Sequence, residues 1–207
     1  MLILGLTGSI GMGKSTTANF FRMAGVRVHD SDGVVHALYR GAAVPAIEAA
    51  FPGTTSDGSV DRVRLARRVL QDPQELRRLE AIIHPLVQSD REAFLASAGA
   101  AALPIVVLDI PLLFEIGAET SVDAVVVVTA PEAVQKSRVL TRQGMTQEKF
   151  AAIVANQIPD SQKRRRAHFL VDTSRSFAAA AAQVRDILRA SSAMQGRAFW
   201  RGGRKDA

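Results

Sequence analysis

The run Gly8-Ser9-Ile10-Gly11-Met12-Gly13-Lys14-Ser15 fills the pattern G-x-x-x-x-G-K-[ST]. A backbone of this composition can curl until its amides converge on phosphate oxygens, because glycine permits both the unusual dihedrals and the close approach. In this reading Gly8, Gly11, Met12 and Gly13 line the turn and Lys14 spans the β- and γ-phosphates of ATP. The Ser15 hydroxyl ligates Mg²⁺, and Thr16 adds a further phosphate contact. A dinucleotide fingerprint starting at Gly8 is excluded, since G-x-G-x-x-G needs glycine where Ile10 stands.

A phosphate loop fixes the donor and leaves the acceptor open, so other residues must separate kinase, hydrolase and switch. Asp30 and Asp32 follow an apolar run and point to one side if that strand stays extended through them. One carboxylate could then take a proton from an acceptor hydroxyl, while the other approaches Mg²⁺ through water or caps the next helix. Asp109 closes Ile105 to Leu108 and is either a Mg²⁺-holding acid or a turn residue before Pro111. The apolar run Pro111-Leu112-Leu113-Phe114 before Glu115 is core or a pocket wall. His84-Pro85 marks a break between two helices, because a residue before proline is pushed out of helical geometry. Arg138 and Arg142, four apart, share a helix face that is either solvated or part of a lid closing on the transferring phosphate. Lys163-Arg164-Arg165-Arg166 reads as a basic helix end rather than a nucleic-acid patch. The histidines at 29, 36, 84 and 168 lack metal-ligand spacing.

The elements that must position these groups alternate between short apolar runs and helical patterns, the rhythm of a doubly wound parallel sheet. Five strands are expected: Leu2 to Leu6, Val26 to His29, Pro104 to Asp109, Asp123 to Val128 and Phe169 to Asp172. The first helix runs from Lys14 to Met23 and stops before Gly25. Between the second and third strands lies a helical insertion with patterns at Gly33 to Arg40, Pro45 to Phe51, Asp61 to Leu70, Pro73 to Ile83 and Leu86 to Ala98. A charged helix from Glu132 to Arg142 is broken by Gly144, and Thr146 caps another through Gln157.

With 207 residues, 47% of them hydrophobic and 22% charged, the chain can bury one sizeable core and two large domains are excluded. The absence of cysteine excludes disulfides and thiolate chemistry and agrees with a reducing, cytoplasmic setting. No stretch approaches the ~18 apolar residues of a spanning helix, so no membrane association is expected. The net charge is +6, but Arg197, Arg201, Arg204 and Lys205 against Asp206 leave +3 of it beyond Ser191. That glycine-bearing segment reads as a solvated tail, about 191–207, and the milder body gives no reason to expect nucleic acid.

The combined pattern resembles the dephospho-CoA kinase family. The resemblance is carried by LTGSIGMGKST at residues 6–16, DSD at 30–32 with His36, Leu38 and Tyr39, and Asp61-Arg62. Leu79-Glu80 with His84-Pro85, LDIPLLFE at 108–115, and Arg138, Arg142 and Gln157 continue it. It implies an α/β fold of P-loop kinase type, with a doubly wound five-stranded parallel sheet, a coenzyme A-binding helical insertion about 33–100 and a lid about 138–157. It implies transfer of the ATP γ-phosphate to the ribose 3′-hydroxyl of dephospho-CoA, with ATP, dephospho-CoA and Mg²⁺ as partners. The matching residues place Asp32 as base, Lys14 and Arg138 in catalysis, Arg142 on ATP, and Arg62, His84 and Leu113 on the acceptor. The segment His168 to Ser174 departs from the family's usual pattern, which has an acidic residue and later an Asn-Gly there. Rival readings are a P-loop kinase of a nucleoside or another small alcohol, and a nucleotide-binding switch.

Overall fold

β1 (Leu2–Thr7) is buried at every residue, as an unbroken apolar run is when both faces of its strand are covered. The structure is a computed structural model and describes residues 1–198. After β1 come α1 (Lys14–Met23), β2 (Arg27–Asp30), α2 (Ser31–Leu38), α3 (Val44–Ala50), β3 (Thr55–Ser56), β4 (Ser59–Val60), α4 (Arg62–Val69) and α5 (Pro73–Ala100). The chain continues through β5 (Ile105–Asp109), a 3₁₀ turn at Ala118–Ser121, β6 (Ala124–Thr129), α6 (Glu132–Leu140), α7 (Gln147–Ala155), α8 (Asp160–Arg166), β7 (Phe169–Asp172) and α9 (Phe177–Ser191). All five expected strands are present within a residue or so of their expected bounds.

The main sheet has the order β2-β5-β1-β6-β7. β1 pairs in parallel with β5 and with β6, and β6 pairs in parallel with β7. The chain winds to one side of β1 and then to the other, so the carboxyl end of β1 is a topological switch point, where open α/β sheets leave a ligand crevice. Register sets Leu6 beside Asp109 and Thr129 beside Asp172, which brings the ends of several strands to that crevice.

The chain divides into two compact units, one formed by Met1–His29 and the chain from Ala98 on, the other by Asp30–Ser97. The first has a core of strand residues such as Leu4, Leu6, Val126 and Val171, closed by Phe21 of α1 and by Val184 and Ile187 of α9. The second has its own core of Ile47, Phe51, Leu65, Val69, Leu79 and Ile83.

Three local expectations are corrected. His84-Pro85 does not break the chain: α5 is one helix of 28 residues with Pro85 inside it. Ile83 is buried and Leu86 and Val87 join the core on the other side, while Ala81 and Pro85 are exposed, so water can take the carbonyl that the proline cannot satisfy. Asp32 does not share a strand face with Asp30, because β2 ends at Asp30 and Asp32 lies in the first turn of α2. The tail does not begin at Ser191, which ends α9 and is 1% exposed. Met194 packs on the core, and the amides of Arg197 and Ala198 donate to Asp123 Oδ1. The remainder of the expected tail, 199–207, lies outside the described residues.

Candidate active site

The chain leaves β1 at Thr7, whose hydroxyl donates to the Pro111 carbonyl at 2.9 Å, and enters the phosphate loop. Gly11 and Gly13 have φ of 78° and 91°, and a Cβ on Gly11 would stand 2.4 Å from Val139 Cγ2. Side chains at these positions would therefore be strained and, at Gly11, in collision. A Cβ on Gly8 would lie 2.7 Å from the Val128 carbonyl, so that residue lets the loop run close against β6. Gly13 is the N-cap of α1, and no side chain caps that helix. Asp30, Asp61, Thr146 and Ser176 cap α2, α4, α7 and α9. The uncapped first turn, with the positive end of the helix dipole, suits an anion. Met12 is placed differently from its neighbours. Its side chain is buried, its amide donates to the Ser9 carbonyl at 3.1 Å and its carbonyl accepts from Thr173 Oγ1 at 2.8 Å, so it braces the loop.

Lys14 Nζ stands 2.6 Å from Asp109 Oδ1, with the side chains 14% and 4% exposed. The strand-ending acid and the loop lysine are thus one ion pair, largely out of water. Ser15 is exposed beside them. Among the described residues no cluster of three or more His, Asp or Glu could hold a metal ion. Mg²⁺ keeps several waters and sits on substrate phosphates with one or two protein oxygens, and the chemistry of the Ser15 hydroxyl and the Asp109 carboxylate would suit it.

Beyond the loop lies a cavity of about 350 Å³ lined by Thr16, Arg138, Arg142, Thr173, Arg175 and Phe177, among others. Arg138 is held in a fork, donating from Nη1 to Thr173 Oγ1 at 2.8 Å and from Nη2 to the Thr173 carbonyl at 2.7 Å. Arg142 is exposed, and Gly144 (φ 73°) makes the turn between α6 and α7. Asp172 is held below the usual carboxylate range by the hydroxyl and amide of Ser174, with smaller help from Arg175 and Arg138. The segment that departs from the family pattern therefore supplies Thr173 as an anchor for Arg138.

In the other unit, Asp30 caps α2 by accepting from the Gly33 amide at 3.0 Å. Asp32 is exposed one residue into that helix. Asp32, His36 and Tyr39 follow at the i, i+4, i+7 spacing of one helical face. Arg62 opens α4, which Asp61 caps through the amides of Val63 and Arg64, and Arg62 Nη1 stands 3.5 Å from His36 Nδ1. Burial pushes the Tyr39 hydroxyl pKa up, with the Arg62 charge opposing. Tyr39 and Arg62 also border an apolar groove of about 780 Å³ floored by Leu65, Val69 and Leu79. His84 is exposed on α5. Leu113 is a correction: it belongs to the first unit and is fully buried, with Cδ1 so close over Gly5 that a Cβ there would lie 2.6 Å away. Its side chain is core rather than pocket wall.

Several residues that shape the site were not singled out from their types. Lys163, read as part of a basic helix end and found in the last turn of α8, is fully buried with Nζ 2.7 Å from Glu115 Oε1. Burial pushes the Glu115 carboxyl pKa up, but the Lys163 ammonium and the Ile158 amide outweigh it and hold the group below its ordinary range. Arg166 lies over the Phe114 ring and pairs with Glu119. Gln135 and Gln157 both bond to Ile10. An apolar turn ending in an acid, followed by one lysine in a basic run, was the only available signal for the first pair.

Comparison with known proteins adds the following. A family model described as dephospho-CoA kinase matches residues 2–179. The dephospho-CoA kinase of Mesorhizobium japonicum is 61% identical over 188 residues, covering 91% of this chain and 95% of that one. That of Rhodopseudomonas palustris (strain HaA2) is 57% identical over 194 residues, covering 94% and 98%. The crystal structure of a Thermus thermophilus protein superposes with a TM-score of 0.80 at 34% identity, over 92% of this chain and 97% of that one. A dephospho-CoA kinase from Campylobacter jejuni shares the fold, with a TM-score of 0.63 at 20% identity over 91% of this chain and 96% of that one. A match running through the phosphate loop, the helical unit and the α6–α7 turn, at such identity, leaves one conclusion: this chain belongs to the dephospho-CoA kinase family.

Proposed function

We propose that this protein transfers the γ-phosphate of ATP to the ribose 3′-hydroxyl of dephospho-CoA, giving coenzyme A and ADP, the last step of coenzyme A biosynthesis. The observation that carries the donor half is the uncapped α1 behind Gly11 and Gly13, with Lys14 held on Asp109. The triphosphate lies along the amides leading into α1, and Lys14 spans its β- and γ-phosphates. Arg138, fixed on Thr173, and Arg142 face the cavity beyond the loop and meet the nucleotide there. Ser15 and Asp109 would hold Mg²⁺, which supplies charge neutralisation on the phosphates when bound.

The acceptor half rests on the Asp30–Ser97 unit, where Asp32, His36, Arg62 and the groove beside Tyr39 are gathered, with His84 further along α5. The acceptor oxygen forms a bond to the γ-phosphorus, the bond from that phosphorus to the β–γ bridging oxygen breaks, and the hydroxyl proton passes to the Asp32 carboxylate. Because the transition state is loose, positioning and charge neutralisation supply most of the rate, and proton removal supplies less. The segment of about 138–157, which contains the α6–α7 turn, is the lid that excludes water, and the reaction belongs to the cytoplasm. Among the described residues no helix is long and apolar enough to cross a membrane.

The test is ADP release with dephospho-CoA against adenosine, shikimate and no acceptor. Release dependent on dephospho-CoA is expected. Release driven by another acceptor, or equal without any, would replace this reading with that of another small-alcohol kinase or a nucleotide-hydrolysing switch.

A further inference from the structure

Ile10 sits between the glycines at 8 and 11, and both of its main-chain polar groups are taken by glutamines from outside the phosphate loop. Its N–H donates to Gln157 Oε1 at 3.1 Å, and its carbonyl accepts from Gln135 Nε2 at 2.8 Å. The two bonds run in opposite senses, so the peptide planes on either side of Ile10 are both fixed. Gln135 is on α6 and 6% exposed, and Gln157 stands just past the C-cap of α7, so the clip joins both arms of the proposed lid to the loop. Next along the chain, the Ile158 amide donates to Glu115 Oε1 at 2.9 Å, and Lys163 neutralises that carboxylate. The lid exit is thereby tied to the turn after β5 as well as to the loop.

The turn that opens toward an anion, Gly11 to Lys14, begins one residue after Ile10, whose carbonyl belongs to the same peptide plane as the Gly11 amide. Neither glutamine is among the groups that the site reading assigns to the nucleotide. We propose that Gln135 and Gln157 are positioning residues that hold the phosphate loop in its anion-binding curvature, so that ATP affinity depends on the lid base through Ile10. A loop already curved has less freedom to lose on binding. This inference rests on ATP occupying the loop.

Gln135→Met and Gln157→Met keep length and bulk and delete the bonds. Each should weaken ATP binding, read by calorimetry, by about five- to tenfold, the effect of one partly buried amide bond. The KM for dephospho-CoA should not move. Glutamate separates bonding from packing: Gln157→Glu still accepts from the Ile10 N–H, whereas Gln135→Glu sets an anion against the Ile10 carbonyl. With the same charge added in each case, Gln157→Glu should bind ATP more tightly than Gln135→Glu, and this comparison decides the matter if a Met variant does not fold. ATP affinity within twofold of the parent in both Met variants, equal losses in the two Glu variants, or a fall in melting temperature without loss of affinity would each overturn the clip. A parent protein that binds no ATP would overturn the site reading beneath it, whereas parental binding with unaffected variants would sink the clip alone.

Discussion

Lys14 and Asp109 share a 2.6 Å ion pair that is largely out of water. Lys14→Met leaves the Asp109 carboxylate in the interior without its lysine, which should lower stability by about 3 kcal/mol and abolish turnover. The Lys14→Met/Asp109→Asn double variant should regain most of that stability in urea titrations while remaining inactive. Recovery of neither, or of both, would contradict a pair that supports the fold and a lysine that the reaction needs. Asp30 and Asp32 separate in the same way. Asp30→Ala removes a cap and should cost about 1 kcal/mol, whereas Asp32→Asn should lose on the order of a hundredfold in kcat with unchanged melting. The phosphate-loop residues were legible because their spacing is itself the mechanism. Lys163–Arg166 do form the basic end of α8, but the depth of Lys163 and of Leu113 was not legible because residue type does not report depth: the carboxylate partner of Lys163 lies 48 positions earlier in the numbering.

Strands and caps were the most legible elements, since an apolar run or a Thr three residues before an amide carries its own physics. Thr146 does cap α7, accepting from Lys149. Pro85 misled because a local rule, the steric pressure on the residue before a proline, was outweighed by apolar contacts on both sides of it in a 28-residue helix. Pro85→Ala should therefore raise stability, by about 2 kcal/mol, and calorimetry showing destabilisation would mean that the proline is accommodated differently. The β3–β4 hairpin was not anticipated, although Asp57-Gly58, with φ of 51° and 73°, is the dipeptide that suits a type I′ turn. Two-residue strands are too short to show alternation, and only the turn could have revealed them.

At the scale of the molecule, length and rhythm were enough for the five-stranded α/β layout and for a helical insertion between its second and third strands, but not for the division of the buried residues into two separate cores. That division follows from how the insertion's apolar positions pair with one another, which periodicity alone does not reveal. Within the first unit, Glu115 ties the lid exit to the turn after β5, and its carboxyl is held below the ordinary range in the folded state. Its contribution is therefore present above the unfolded-state value of about 4.3 and lost as the pH falls through the lower folded value. Urea unfolding from pH 7 to pH 3 should show an acid limb that flattens in Glu115→Gln, at the cost of lower stability at pH 7 from a buried Lys163 without its carboxylate. An acid limb identical to the parent's would assign the loss to other groups. The central claim, γ-phosphate transfer to one particular hydroxyl, is tested most directly by incubating the protein with ATP, Mg²⁺ and dephospho-CoA and locating the new phosphate by ³¹P NMR and mass spectrometry. A 3′-phosphomonoester formed in equal amount with ADP is the predicted result, and ADP without phosphorylated dephospho-CoA, or phosphate on another atom, would contradict it.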